Sequence, residues 1–139
     1  MLEPVNYELR VIGMVESPLV DVAAAPAQGD EGELDAWIAM GSQYLPAMRD
    51  LVVGERVILL TWLDRGDRDV LEVHPRGDPT RPRLGVFSTR SPDRPNPIGL
   101  HEVEILAIDG PRLRVRNLEA ISGTPVLDVK PVLGPVGTR

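Results

Sequence analysis

The 139-residue chain is 42% hydrophobic and 26% charged, has no cysteine and carries a formal net charge of −6. That length and mix fit a single globular domain with its own core, expected over 1–139 without an additional C-terminal domain, and exclude wholesale disorder, a disulfide scaffold, a thiolate nucleophile and a cysteine-ligated metal. The negative balance argues against a nonspecific nucleic-acid coat, the longest apolar run (Val57–Leu60) is far too short to cross a bilayer, and the N-terminus lacks the basic-then-apolar order of a secretory signal, so a cytoplasmic protein is expected.

Tyr7–Val15 (YELRVIGMV) reads as a strand stopped by Glu16-Ser17-Pro18. Residues 19–32, rich in Ala, Gly and acid, read as a mobile loop, and Glu33–Met40 as a short strand. Leu45, Met48 and Leu51 recur at helical spacing beside the start signals Ser42 and Pro46, which predicts a short helix over about 43–52. Arg56–Leu63 (RVILLTWL) is nearly continuous in apolar and β-branched residues and reads as a buried central strand. Asp69–Val73 alternates and reads as another. Residues 75–97 hold six prolines, a density no hydrogen-bonded ladder survives, with Leu84–Ser88 as the one candidate strand inside it. Leu100–Ile108 and Leu113–Leu118 flank Asp109-Gly110-Pro111 and predict a hairpin, with His101, Glu102 and Glu104 on its solvent side. Val126–Val129 is a last short strand. Only five aromatic residues occur, so the core must be aliphatic, and many short strands between frequent turns point to a barrel or a sandwich.

Charge is uneven along the chain. Residues 1–48 hold eight acidic residues and one basic residue; residues 49–139 hold thirteen acidic and fourteen basic. Arg76, Arg81, Arg83, Arg90 and Arg94 form a local basic cluster, the feature best suited to phosphate.

Two stretches carry the candidate chemistry. In Phe87–Leu100 (FSTRSPDRPNPIGL), Pro92, Pro95 and Pro97 fix φ near −65° and stiffen the loop before any ligand arrives. Arg90 and Arg94 offer planar forks for a carboxylate or phosphate, Asn96 both a donor and an acceptor, and Gly99 close backbone approach. This reads as a preorganised pocket wall for a polar, partly anionic small molecule, or as a stiff surface crossover with paired arginines. In the second stretch, Ser122-Gly123-Thr124 is a turn rich in N–H groups and hydroxyls, and Asp128 and Lys130 share one strand face. Taken alone it reads equally as a hairpin turn followed by a surface ion pair. His74 and His101 are isolated, read as surface residues and make no metal site.

Together, RSPDRPNPIGL and the downstream SGTPVLDVKP resemble the TsaA-like family (YaeB or TrmO-type) of S-adenosylmethionine-binding methyltransferases, and Ile12–Pro18 resembles its IGxVxSP opening. The resemblance covers about residues 10–131. It implies a mainly β fold, a small closed or partly open β-barrel of short, mostly antiparallel strands with one short helix. It further implies S-adenosylmethionine as cofactor, a homodimer, and methyl transfer, in characterised members to N6 of threonylcarbamoyladenosine beside the tRNA anticodon. On the family's motifs, the cofactor-binding residues are Arg90, Arg94, Pro95, Asn96, Pro97, Ile98, Gly99, Leu100, Ser122, Gly123 and Thr124. Pro26, Ala27 and Gln28 stand at the family's PRQ segment, without its Arg, and Ser122 stands where the family usually has Asp. Asp64 or Asp128 is the expected proton acceptor, unless the acceptor nitrogen is acidic enough to need none. The departures at Ala27, Asp64 and Ser122 leave two further readings open: a small molecule or another nucleoside as methyl acceptor, and a non-catalytic cofactor-binding module.

Overall fold

Alternation of aliphatic and polar residues gives eight strands: β1 (Gly13–Glu16), β2 (Asp35–Met40), β3 (Arg56–Trp62), β4 (Glu72–Val73), β5 (Leu84–Gly85), β6 (Ile98–Asp109), β7 (Arg112–Arg116) and β8 (Pro125–Pro131). The computed structural model describes residues 2–18 and 35–134. Six strands form one antiparallel barrel in the order β1-β2-β7-β6-β3-β8, and β8 returns to β1 through the pairs Gly13↔Val126 and Met14↔Pro125. The two short strands β4 and β5 form a separate ribbon.

The barrel strands place alternate residues inward, except that β8, beside an irregularity in its pairing with β3, buries Val126 and packs Val129 against the core. Val15, Ile38, Val57, Leu59, Val103, Ile105, Leu113, Val115 and Val126 fill the interior, Met48 and Leu118 add to it, and no aromatic side chain is among the buried residues. The core is therefore aliphatic, as the composition requires. β6 and β7 form the expected hairpin, joined at Asp109↔Arg112 through a turn in which Gly110 takes φ of +57°.

Several boundaries differ from the sequence reading. The strand expected over Tyr7–Val15 starts only at Gly13 and runs to Glu16, with Ile12 adding backbone hydrogen bonds to Val126 and Gly41; Tyr7, Leu9 and Val11 lie before it and are exposed. The helix expected over 43–52 is a 3-10 helix over Ser42–Met48, which contains Pro46; proline has no N–H and disrupts a longer α-helical ladder. β3 is buried on one face, with Val57, Leu59 and Thr61 inward and the alternate residues exposed or half-buried. The Asp69–Val73 strand shrinks to β4 and Leu84–Ser88 to β5 followed by a 3-10 turn. Residues 19–32 and 33–34 lie outside the described residues.

Candidate functional site

The prolines do not hold the 86–98 segment alone; its own side chains tie it down. Thr89 Oγ1 donates to the Val86 carbonyl at 2.9 Å, the Ser91 N–H donates to Thr89 Oγ1, and the Asp93 N–H to Ser91 Oγ. The Arg94 guanidinium turns into the loop, donating to the Thr89, Ser91 and Val86 carbonyls at 2.9–3.0 Å. Arg68 clamps the next residues: its Nε donates to the Pro95 carbonyl at 2.6 Å and its Nη2 to Asn96 Oδ1 at 2.8 Å, while its guanidinium lies over the Trp62 ring. Pro97 is fully buried, and its carbonyl accepts the Leu63 N–H.

The Ser122–Thr124 turn is fixed just as closely. Thr124 Oγ1 donates to the Ile121 carbonyl at 2.7 Å, Gly123 adopts φ of +92°, and the Gly123 N–H and Val15 N–H bond to Val15 and Thr124 carbonyls across to β1.

These two segments meet at one end of the barrel around a cavity of about 850 Å³, within the roughly 300–1,000 Å³ of small-molecule sites. Arg90, Arg94, Asn96, Ile98, Gly99, Leu100 and Thr124 line it, as does Asp64. Pro95 and Pro97 shape the loop from behind, and Ser122 and Gly123 lie on the outer side of the turn, where Ser122 Oγ accepts the Ser17 N–H. Asp128 is not at the cavity: its carboxylate faces Lys130 Nζ at 3.3 Å, so this pair is the surface ion pair. Pro26, Ala27 and Gln28 lie outside the described residues. Arg94, spent on three carbonyls, is a builder of the loop; Arg90 is exposed and makes no hydrogen bond or ion pair among the described residues.

Lining residues that the sequence reading did not assign to the site include Arg65, Glu119, with a buried Oε2, and His101, while Phe87, 82% exposed, lies in the stretch read as a pocket wall. His101 is no surface residue. It shares inward parity with Val103 and Ile105, and its Nε2 lies 2.8 Å from the hydroxyl of the fully buried Thr61. Burial, with a smaller contribution from the Arg90 charge, lowers its pKa from 6.5 to about 4. Between these values the unfolded chain binds a proton that the folded chain refuses. Stability is therefore full above about pH 6.5 and falls toward pH 4 by at most about 1.4 kcal/mol per pH unit. Urea titrations across that range check this, and His101→Gln is expected to flatten the slope. No group of three or more His, Cys, Asp or Glu among the described residues is placed to hold a metal, and no described helix is long and apolar enough to cross a membrane.

A stiff loop and a tight turn meeting at one cavity of mixed polar and apolar lining give a small β-barrel domain with a candidate small-molecule site. The family model described as the tRNA-methyltransferase O N-terminal domain matches residues 14–136, and the chain belongs to that family. A probable S-adenosyl-L-methionine-binding protein of Methanothermobacter thermautotrophicus is 42% identical over 94% of this chain and 93% of its own length. An S-adenosyl-L-methionine-binding protein of Archaeoglobus fulgidus is 44% identical over 88% of this chain and 86% of its own. A crystal structure of TrmO superposes with a TM-score of 0.77 at 26% identity, covering 97% of this chain; the chain spans 61% of that longer one.

Proposed function

We propose that the cavity binds S-adenosyl-L-methionine and that the chain is a methyltransferase domain acting on a nucleoside nitrogen, N6 of threonylcarbamoyladenosine beside the tRNA anticodon. The observation that carries the reading is the convergence of the RSPDRPNPIG loop and the SGT turn on one cavity whose lining is mixed in charge: Arg65 and Arg90 beside Asp64, Asp93 and Glu119. A molecule that is at once zwitterionic, cationic at sulfur and aromatic fits that mixture. Arg90 takes the carboxylate as a planar fork. Ile98, Leu100 and the exposed ring of Phe87 supply the apolar and stacking surface for a base. Thr124 closes the opposite wall, with Ser122 and Gly123 holding the turn behind it, while Pro95, Asn96 and Pro97 keep the loop in shape. The cofactor, when bound, supplies a methyl group on a sulfonium ready to leave; the protein's task is alignment. Asp64, exposed and in the cavity lining, is the carboxylate assigned to take a proton in this reading, whereas Asp128 is engaged with Lys130. The exposed apolar side chains of Phe87, Ile98 and Leu100 beside the cavity favour a homodimer with the cofactor near the subunit interface.

Isothermal titration tests this reading. The wild-type protein is expected to take up S-adenosyl-L-methionine saturably, and Arg90→Ala to weaken uptake at least about tenfold, the loss of a charge-assisted hydrogen bond, with an unchanged melting curve because Arg90 supports nothing else. Mass spectrometry of bulk tRNA from a strain lacking the gene tests the acceptor: an unchanged methylated-nucleoside profile counts against tRNA.

A further inference from the structure

The inward positions of β3 and β6 change character toward the cavity. Val57 and Leu59 on β3, and Val103 and Ile105 on β6, belong to the core; Thr61, His101 and Gly99 follow at the cavity end. Thr61 is fully buried, and its hydroxyl meets one partner among the described residues, His101 Nε2 at 2.8 Å. A buried O–H that donates to nothing forfeits a hydrogen bond, so this one points at Nε2, which must then be the unprotonated ring nitrogen. The neutral imidazole carries its proton on Nδ1. That nitrogen has no hydrogen-bond partner among the described residues, and the ring lines the cavity. Gly99 leaves the space the pair occupies, since a Cβ there would lie 2.8 Å from Nε2. Arg90 lines the same cavity, close enough for its charge to act on the ring. Two neighbouring donors without an internal acceptor suit one anionic group.

We propose that the Nδ1–H of His101 is a second donor, beside Arg90, for the carboxylate of the bound molecule, and that Thr61 is the positioning residue that fixes its tautomer. The proposal rests on reading the cavity as an S-adenosyl-L-methionine site. It makes the site selective for ligands that keep the amino-acid carboxylate.

Calorimetry with two probes tests it: S-adenosylhomocysteine, which has the carboxylate, and 5′-methylthioadenosine, which lacks it. His101→Ala is expected to weaken the first by about 10- to 100-fold and the second by less than about twofold. Thr61→Val is expected to weaken the first selectively and Thr61→Ser to restore it. Nitrogen-15 NMR of the imidazole in the wild-type protein reads the tautomer without any variant, so the proposal stays testable if His101→Ala does not fold. A proton on Nε2, or equal loss of both ligands in His101→Ala, overturns the proposal. A wild-type protein that binds neither probe overturns the cofactor reading, and this proposal with it, before any variant is compared.

Discussion

Gly99→Val is expected to cost about 3 kcal/mol of stability, the upper end of overpacking effects, and to abolish ligand uptake. A Cβ at position 99 collides with Thr61 Oγ1 and lies 2.8 Å from His101 Nε2 and 3.2 Å from Leu63 Cδ2. β6 cannot retreat, because Gly99 is the ladder partner of Thr61 and its neighbours Ile98 and Leu100 pair with Trp62 and Leu60. The new side chain must therefore displace the hydroxyl and the imidazole, breaking the one hydrogen bond that satisfies Thr61. Thermal unfolding should show a drop on the order of 10 °C for a domain of this size. Gly85→Ala serves as the contrast: its Cβ meets nothing within 4 Å and its φ of −60° suits any residue, so a change below about 0.5 kcal/mol is expected. A Gly99→Val protein with wild-type stability would show that the end of the barrel is looser than described.

Arg94→Ala should separate loop order from barrel stability. The guanidinium gathers the carbonyls of Val86, Thr89 and Ser91, and Arg90 sits between the last two. Without it those carbonyls turn to water and Arg90 loses its fixed position. Ligand affinity is expected to fall more than about tenfold, while global stability falls by only about 1–2 kcal/mol, since hydrogen bonds to a charged group at a partly exposed site are replaced by water. Arg94→Lys should behave almost as badly, because an ammonium cannot span three carbonyls as a planar fork does. Titration calorimetry and thermal melts on the same samples measure both quantities. Undiminished affinity in Arg94→Ala would mean that proline stiffness alone shapes the loop.

Much of the architecture was legible because it depends on local alternation. The β6–β7 hairpin and the aliphatic core follow from alternation, turn chemistry and composition; β3 was legible as a strand, but its apolar run read as buried throughout, whereas the barrel buries only the face of Val57, Leu59 and Thr61. That Asp128 and Lys130 share a face also follows from strand parity; that this face is the surface does not, because Val126 of the same parity is buried and Val129 packs against the core. Parity would have placed His101 correctly too: Val103 and Ile105 face inward, so position 101 does as well, and grouping His101 with Glu102 by polarity ignored that adjacent strand residues face opposite ways. Other features had no local signal. Arg68 is twenty-eight residues from Asn96 and reaches it only after the barrel forms. Arg94 looks in sequence like Arg90, yet one is folded into its own loop and the other is left for a ligand. Tyr7, Leu9 and Val11 alternate as a strand should, but the barrel offers them no neighbour.

A crystal structure of the protein grown with saturating S-adenosyl-L-methionine tests the account most directly. The account predicts density for one S-adenosyl-L-methionine molecule enclosed between the Thr89–Leu100 segment and the Glu119–Thr124 segment, its carboxylate on the Arg90 guanidinium. Density at the opposite end of the barrel, or a cavity filled only with solvent at that concentration, would contradict it.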